Sequence, residues 1–488
     1  MKIKYNHMND NDFCKNLVIS YIFPPDNDLL GIVQSKRIMA KNELVDILVA
    51  DRGNYDNIEF SKLADEYINN KMIVDMKGKV FSRQSTIFEF VEKGMAEIEK
   101  TGIEYKNISS ICWRISNHFL ALEYKLKHPD VFWSAEFSDP MLYDIDNKMR
   151  DWKLSDEKFI EKINNAISKS GDYPLIENPT NIYFLAEYLP FLFADEIVFT
   201  NENQREIMLS QHPVDVYDMV MGKSKVLSIP PLENKYYHLI DSEIDLDKDS
   251  INIAYFGSYY FNRHFESVFY AFDSLNHKYK NKIKFYMYVE NTGLLKDLVK
   301  GLDIEDNFII KEQVSFLEFL NLTTKFDVLL ANDLVSEGNF KINPYLPSKV
   351  ADYSQSGSDI WIIYEEGSPL SKEDVKYKSM VKDYTSSREI LIKILEDYGY
   401  VDENLSFDNH YFDKRLTLFT QYLEEKTALI YQKDNEINKL KSRNKKLEKL
   451  NKEIGELKSK NKELEELNKE ILSSKSWKIT KPLRKLKK

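Results

Sequence analysis

Short apolar runs alternate with amphipathic helical segments along most of this sequence, and this alternation constrains the fold more than any other feature. In the first half, β-strands are predicted at residues 17–23, 45–50, 108–113, 131–135, 197–200 and 226–229. Strands that alternate with helices form parallel sheets covered by helices on both faces. The sequence therefore predicts an α/β fold in which ligand-binding residues lie just after the strands.

A polar segment at residues 233–250 separates two such α/β cycles. The second cycle has predicted strands at residues 251–256, 283–289, 307–311, 326–331 and 360–364. A chain of 488 residues is long enough for two or three domains. We therefore predict two α/β domains at residues 1–235 and 236–411, a helical extension at 412–474 and a basic amphipathic tail at 475–488.

Residues 343–357 predict a loop, a short helix and a tight turn in the second domain. Pro344 and Pro347 exclude a helix before Ser348, which can cap one. The free N–H groups and positive dipole end at a helix start attract anions, and Lys349 adds a positive charge. A diphosphate beside a ribose would suit this arrangement. An ordinary turn of a doubly wound domain gives the same pattern, so both interpretations are open on these residues alone.

Two further groups of residues follow strands of the second domain. Gly257 comes directly after the strand at 251–256 and permits close approach of the backbone to a ligand. Arg263, near the start of the next helix, is placed to reach an anion above the sheet. The long connection before residue 343 contains Asp333 and Glu337, and long connections at this edge of a sheet are typically functional.

Polar residues also follow consecutive strands of the first domain. His118 comes after the strand at 108–113, and Asp139 comes after the strand at 131–135, directly before Pro140. Such a histidine often makes only a structural hydrogen bond, and Asp-Pro is typical of a turn. Because several strand ends carry such groups together, we predict a binding site at this edge.

After about residue 412 the pattern becomes wholly helical, with heptad spacing of apolar residues from Ile437 to Ile471. The register shifts by three residues near Leu447, and Asn444 and Asn461 fall at core positions that usually limit the oligomer number. We predict a coiled coil that makes a homo-oligomer, with a single solvated helix as the alternative. In the tail, residues 475–488 hold seven Lys or Arg and no acid, which predicts contact with an anionic membrane surface.

Composition narrows the class of protein. The net charge of −11 argues against nucleic acid as a partner, and Cys14 and Cys112 lack the spacing of a metal site or a disulfide framework. We find no export signal and no stretch suited to cross a bilayer. The expectation is a cytoplasmic protein that lies peripherally at the inner face of the cell membrane.

With these residues identified, the chain resembles bacterial GT-B glycosyltransferases of the group-1 or family-4-like type, which build cell-surface polysaccharide. The resemblance covers about residues 16–400 and rests on five motifs: Pro347-Ser348-Lys349-Val350-Ala351-Asp352-Tyr353 with Gly357, residues 257–263, Ser116-Asn117-His118, residues 137–140 and the terminal residues 476–484. It implies two Rossmann-like domains that face each other across a cleft. The C-terminal domain would hold the nucleotide-sugar and the N-terminal domain the acceptor.

The resemblance also implies roles for single residues. The diphosphate of a UDP- or GDP-linked sugar would be bound by Gly257, Arg263, Ser348 and Lys349, and the ribose by Asp352. His118 and Asp139 would face the acceptor or the donor sugar, with Asp139 as the general base of an inverting reaction. Many of these enzymes carry a glutamate eight residues before the position of Asp352. Here that position is Pro344, and Glu337 is the candidate to replace the missing carboxylate.

The first functional hypothesis is a metal-independent glycosyltransferase that uses a nucleotide-sugar donor, no further cofactor, and a glycan or lipid-linked glycan acceptor. The second is a catalytically silent GT-B subunit that partners an active transferase, which the missing glutamate would suit. A sugar-nucleotide epimerase is the third, although a coiled coil with a basic tail has no evident purpose in it. The donor sugar, the acceptor and the stereochemical outcome are open.

Overall fold

The computed structural model describes residues 14–26, 28–55, 64–80, 84–259, 263, 265–300, 303–336, 338–401 and 409–473. The chain divides into two compact units, Met1–Leu416 and Thr417–Lys488. All β-strands of the described residues belong to the first unit, and the described part of the second unit is helical. Predicted residues in the tail at 475–488 lie outside the described part of the chain.

The first sheet has seven parallel strands in the order β3-β2-β1-β4-β5-β8-β9. Its strands are β1 (Asn16–Ser20), β2 (Val45–Asp51), β3 (Ile68–Asp75), β4 (Asn107–Cys112), β5 (Phe132–Phe137), β8 (Glu196–Phe199) and β9 (Ser224–Val226). Each of them except β3 overlaps a predicted strand. The apolar run of β3 is interrupted by Asn69, Asn70 and Lys71, because this edge strand buries only some of its side chains.

The second sheet has six parallel strands in the order β12-β11-β10-β13-β14-β15. Its strands are β10 (Ile251–Phe256), β11 (Ile283–Tyr288), β12 (Phe308–Lys311), β13 (Val328–Asn332), β14 (Asp359–Tyr364) and β15 (Tyr377–Met380). The edge strand β15 escapes prediction because it is four residues long and includes Lys378 and Ser379. A short antiparallel pair, β6 (Lys153–Leu154) with β7 (Thr180–Asn181), lies outside both sheets.

The α-helices lie mostly between strands along the chain, with the last two after β15. They are α1 (Leu29–Lys41), α2 (Gln84–Lys100), α3 (Ser116–Lys127), α4 (Glu157–Ser170), α5 (Ile182–Phe193), α6 (Glu202–Leu209), α7 (Val214–Lys223), α8 (Glu266–Ser274), α9 (His277–Lys280), α10 (Thr292–Val299), α11 (Phe316–Thr323), α12 (Lys349–Tyr353), α13 (Tyr384–Asp397) and α14 (Asn409–Ser473). Several begin at an Asp or Asn whose side chain accepts a hydrogen bond from the first turn, as Asp28 does for α1 and Asn201 for α6. None of the described helices is long and apolar enough to cross a membrane.

An apolar cluster joins the two sheet-containing halves of the first unit. Helix α1 contributes Ile32 and Met39, and α11 contributes Phe316, Leu317 and Leu320. The connecting chain adds Leu232, Tyr236 and Tyr237 to the same cluster. This contact brings α1 of the first half against the second half, and the domain boundary at residue 235 stays a prediction.

The α/β prediction with two parallel, Rossmann-like sheets is confirmed. Helix α14 occupies the region predicted as a coiled coil, and many of its heptad residues, including Ile437, Leu447 and Ile471, are exposed. The pairing of this helix with further copies stays a prediction.

Candidate functional site

The site begins where β10 ends, at Gly257. This residue has a φ of +136°, a conformation that side chains with a Cβ rarely adopt. A Cβ built on Gly257 would lie 2.7 Å from Nζ of Lys349, so the absence of a side chain makes room for that lysine. The strand end and the short helix α12 therefore meet around a single ammonium group.

The ammonium nitrogen of Lys349 is buried at this meeting point, although the residue as a whole is only partly buried. Its Nζ lies 3.9 Å from the ring centroid of Tyr255, and it has no hydrogen-bond partner among the described residues. Burial lowers the pKa of the Lys349 ammonium well below its usual value, and the positive charge of Arg263 lowers it further. A buried cation of this kind gains most from an anion that would pair with it.

Arg263 is hydrogen-bonded to the last residue of β13. Its Nη1 donates to the carbonyl of Asn332 over 2.8 Å, and Nδ2 of Asn332 donates back to the carbonyl of Arg263 over 2.5 Å. Within the described part of the chain, Nε of Arg263 and Oδ1 of Asn332 are buried without partners. The predicted residues Gly257, Arg263 and Lys349 thus lie together at the carboxyl edge of the second sheet.

Asp333, directly after β13, belongs to the same cluster. Its Oδ2 accepts from Oγ of Ser368 over 2.6 Å and from the N–H of Glu365 over 2.7 Å. Oδ1 is buried and has no partner in the described ranges. Burial raises the pKa of Asp333 to about 7, although these two hydrogen bonds oppose the rise. Asp333 has no predicted role of its own from the sequence, where its place just after a strand is the available signal.

Asp352, the predicted ribose ligand, pairs with a residue of the first half. Its Oδ1 lies 2.6 Å from Nζ of Lys36 on α1, and both side chains are almost fully buried. Burial raises the pKa of Asp352, while the charge of Lys36 opposes the rise. The backbone carbonyl of Asp352 also accepts a hydrogen bond from the hydroxyl of Tyr237. Sequence reasoning missed Lys36 because the pair joins residues 316 positions apart.

Two asparagines of the first half hold the loop before α12. Asn201 donates through Nδ2 to the carbonyl of Pro344 over 2.9 Å, and Asn203 donates to the carbonyl of Asn343 over 2.9 Å. Asn203 also donates to the carbonyl of Gly367 over 2.8 Å. The backbone at Pro344, where the resemblance leads one to expect a glutamate, is therefore bound by the opposite half.

Asp139 lies in a loop that is fixed from both sides. Nη1 of Arg150 donates to the carbonyls of Pro140, Met141 and Tyr143 at 2.6 to 2.9 Å. Oε1 of the buried Glu187 accepts the N–H groups of residues 141 and 142. This double anchoring holds the half-buried Asp139 in place.

The electrostatic neighbours of Asp139 come from both halves. Desolvation raises the pKa of Asp139 to about 6, although Arg150 opposes the rise. Across the halves, burial raises the pKa of Tyr345 well above its usual value; Asp139 adds to this rise and Arg150 opposes it. The charge of Asp139 therefore acts across the boundary between the two halves on Tyr345, in the loop that precedes Lys349.

His118 has the surroundings of a core residue. Its Nδ1 lies 2.8 Å from Oγ of Ser110, which also accepts from Nε1 of Trp133. Its ring packs edge-on against Phe137 at 4.9 Å between centroids. Burial lowers the pKa of His118 to about 3, so the imidazole is neutral at ordinary pH. These contacts agree with a structural histidine, and a catalytic role for His118 stays a prediction.

The other predicted site residues are Ser348, Gly357 and Glu337. Ser348 directly precedes α12 and makes no side-chain capping bond, although it stands at the position predicted for a cap. Gly357 follows the helix with a φ of +87°, as the predicted tight turn requires. Glu337 lies outside the described residues, so its proposed substitution for the missing glutamate stays a prediction. In the described ranges no group of three or more His, Cys, Asp or Glu side chains could hold a metal ion.

No protein-family model matches the sequence, and no curated protein matches it. Solved structures do share its architecture. A glycosyltransferase from Rickettsia africae superposes with a TM-score of 0.50 at 10% identity, covering 87% of this chain and 97% of that chain. The Anabaena protein HepE in complex with UDP-glucose gives a TM-score of 0.48 at 9% identity, covering 86% and 100%. At these identities the likeness concerns fold, and the chain shares the α/β fold of the Rickettsia protein.

Proposed function

We propose that this chain is a GT-B glycosyltransferase that takes its sugar from a nucleotide-sugar donor. The observation that carries the proposal is the buried ammonium of Lys349, on which the charge of Arg263 acts and which has no hydrogen-bond partner among the described residues. A cation held in this state at the carboxyl edge of a parallel sheet suits a diphosphate. The fold shared with a solved glycosyltransferase supports the same conclusion.

In the proposed reaction the acceptor's hydroxyl oxygen forms a bond to the sugar's anomeric carbon and loses its proton to a base. The bond between that carbon and the diphosphate oxygen breaks, and the diphosphate leaves with the electron pair. Lys349 and Arg263 stabilise the negative charge that develops on this leaving group, with Ser348 beside them. Removing one preorganised donor of this kind typically costs about 10²- to 10³-fold in kcat. Gly257 lets the diphosphate approach the backbone.

Asp352 binds the ribose hydroxyls in this proposal. Because Lys36 holds the same carboxylate at 2.6 Å, the ribose must displace or share that ion pair. Nucleotide binding would therefore change a contact between the two halves of the first unit. We expect the halves to separate locally when the donor enters.

Asp139 is the candidate general base on the acceptor side. Its pKa of about 6 leaves it ionised at neutral pH and able to accept the proton of an attacking hydroxyl. Arg150 and Glu187 hold its loop in place. His118 stays a predicted residue of the acceptor side, where its imidazole is neutral, buried and packed against Phe137.

The acceptor in the proposal is a growing cell-surface glycan, free or lipid-linked. Helix α14 would assemble the protein into a homo-oligomer, and residues 475–488 would bring it to an anionic membrane face. The nucleotide is UDP or GDP, and the chemistry requires no metal because the two basic side chains neutralise the leaving group.

The test is a donor screen. We expect the purified full-length protein to bind UDP or GDP in calorimetry and to release that nucleotide from at least one sugar donor when supplied with acceptor glycans. Absence of nucleotide binding would contradict the proposed site. A panel of UDP- and GDP-sugars with product linkage analysis would then identify the transferred sugar.

A silent GT-B subunit is the second candidate function, and the loop at Pro344 favours it. The residue there has no carboxylate, and its carbonyl is occupied by Asn201. Nucleotide binding without release from any donor, followed by restored release on adding a partner transferase, would support this candidate over the first.

A further inference from the structure

The cluster at the carboxyl edge of the second sheet contains buried groups of two opposite kinds. Lys349 Nζ and Arg263 Nε are hydrogen-bond donors without partners among the described residues. Oδ1 of Asp333 and Oδ1 of Asn332 are acceptors in the same condition. Buried polar groups are nearly always hydrogen-bonded, so we expect each of these four atoms to bond to an atom of a ligand. A diphosphate can satisfy the two donors, but it cannot satisfy the two acceptors.

Asp333 is the better defined of the two acceptors. Ser368 and Glu365 hold its Oδ2, so the carboxylate has a fixed orientation. The segment that holds it is fixed in turn, because the Glu365 side chain accepts from the N–H of Ser336 over 3.0 Å and from Nδ2 of Asn343 over 2.8 Å. A carboxylate held through one oxygen offers the other oxygen to a hydrogen-bond donor.

The position of Asp333 relates it to the diphosphate site. Arg263 donates to the carbonyl of Asn332, the residue next to Asp333, over 2.8 Å. The charge of Arg263 also acts on both Asp333 and Lys349. A ligand that bridges these groups needs an anionic part for Lys349 and Arg263 and a hydroxyl-bearing part for Asp333.

We infer that Asp333 recognises a hydroxyl group of the donor's sugar. This inference rests on the proposed function, because it takes the nucleotide-sugar as the ligand and adds the residue that selects its sugar. The free Oδ1 accepts a hydrogen bond from the sugar hydroxyl while the diphosphate lies on Lys349 and Arg263. Asp333 would thus provide the sugar contact for which Pro344 has no side chain.

Above the pKa of Asp333, at about pH 8.5, Asp333→Asn tests the inference because the amide oxygen can still accept from Ser368 and Glu365, whereas the free side changes from an acceptor to an NH₂ donor. We expect UDP-glucose or GDP-mannose, whichever binds the wild type, to lose at least about tenfold in affinity. UDP or GDP alone should bind the variant as it binds the wild type. Calorimetry measures both constants, and Asp359→Asn, at the opposite end of the neighbouring strand β14, is the matched control.

A set of deoxy-sugar donors sharpens the test. One donor that lacks a single hydroxyl should bind the wild type about tenfold more weakly than the parent donor does. The same two donors should bind Asp333→Asn with equal affinity. Equal losses for the nucleotide and the nucleotide-sugar, or no loss for either, would overturn the inference while leaving the proposed function in place. Failure of the wild type to bind any of these probes would overturn both.

Discussion

At the scale of single residues, the most informative group is the ammonium of Lys349. We predict that Lys349→Met raises the melting temperature, because it removes a buried cation without a partner and keeps the apolar stem. The same change should weaken binding of UDP or GDP by at least tenfold. Lys280→Met is the matched control, since the Lys280 ammonium is also buried but lies 3.0 Å from Asp273. That variant should lose stability and keep nucleotide affinity. Parallel losses in both properties for Lys349→Met would argue against its placement.

Asp333 should make stability depend on pH. Its folded pKa, about 7, lies above the usual value of 3.8, so the folded state binds the extra proton. The free energy of unfolding should therefore fall as the pH rises from about 4 to about 7. Asp333→Asn removes this contribution. We expect the variant to match the wild type near pH 4 and to exceed it by on the order of 2 to 4 kcal/mol above pH 7. Denaturant unfolding at several pH values measures the difference, and a constant difference would contradict the prediction.

We predict that the ionisation of Asp139 controls the rate of sugar transfer. If Asp139 is the general base, kcat/KM should rise with pH through an inflection near 6, because only the ionised carboxylate accepts a proton. Asp139→Asn should remove the inflection and lower the rate by about 10²- to 10⁴-fold, with nucleotide affinity unchanged. A variant that keeps the wild-type pH profile would exclude this role.

Sequence reasoning correctly placed residues whose position in the fold follows from the local chain, while their roles stay predictions. Gly257 follows a strand, and Lys349 begins a short helix, so both are recognisable from the chain alone. It missed Lys36 and Asn201, because their function depends on partners in the other half of the molecule. In His118 it found a residue after a strand but could not tell that the ring turns into the core, since that depends on the packing of Phe137.

At the scale of elements, the turn after β10 is the most constrained connection. Gly257→Ala would place a Cβ 2.7 Å from Nζ of Lys349 at a φ of +136°. We predict a loss of about 1 to 3 kcal/mol in unfolding free energy together with weaker nucleotide binding, because the lysine must move. Gly222→Ala in α7, where a Cβ would meet no atom within 4 Å, should instead be neutral or slightly stabilising. Similar behaviour of the two variants in thermal melts would contradict this account.

The elements that sequence reasoning missed share a physical cause. Strands β3 and β15 lie at sheet edges, where fewer side chains are buried and the apolar pattern weakens. Strands inside the sheets, such as β10 and β13, are buried along their length and were predicted within a few residues. Prediction of this fold is therefore most secure at the centres of the two sheets.

At the scale of the whole molecule, the long helix α14 determines assembly in our proposal. A chain that ends at residue 416 keeps the first compact unit and loses the exposed heptad residues. We predict that this truncated protein is a monomer in light scattering, whereas the full chain is an oligomer at the same concentration. Nucleotide affinity should be unchanged. A full-length monomer would leave α14 as the single solvated helix that the sequence also allows.

The ion pair between Lys36 and Asp352 has a consequence for synthesis. Ribosomes add about 5 to 20 residues per second, so Asp352 emerges roughly 15 to 60 s after its partner. During that interval α1 also lacks its apolar neighbours Phe316 and Leu317. The nascent first half must therefore stay soluble with this surface uncovered, which makes it a natural point of contact for chaperones during translation.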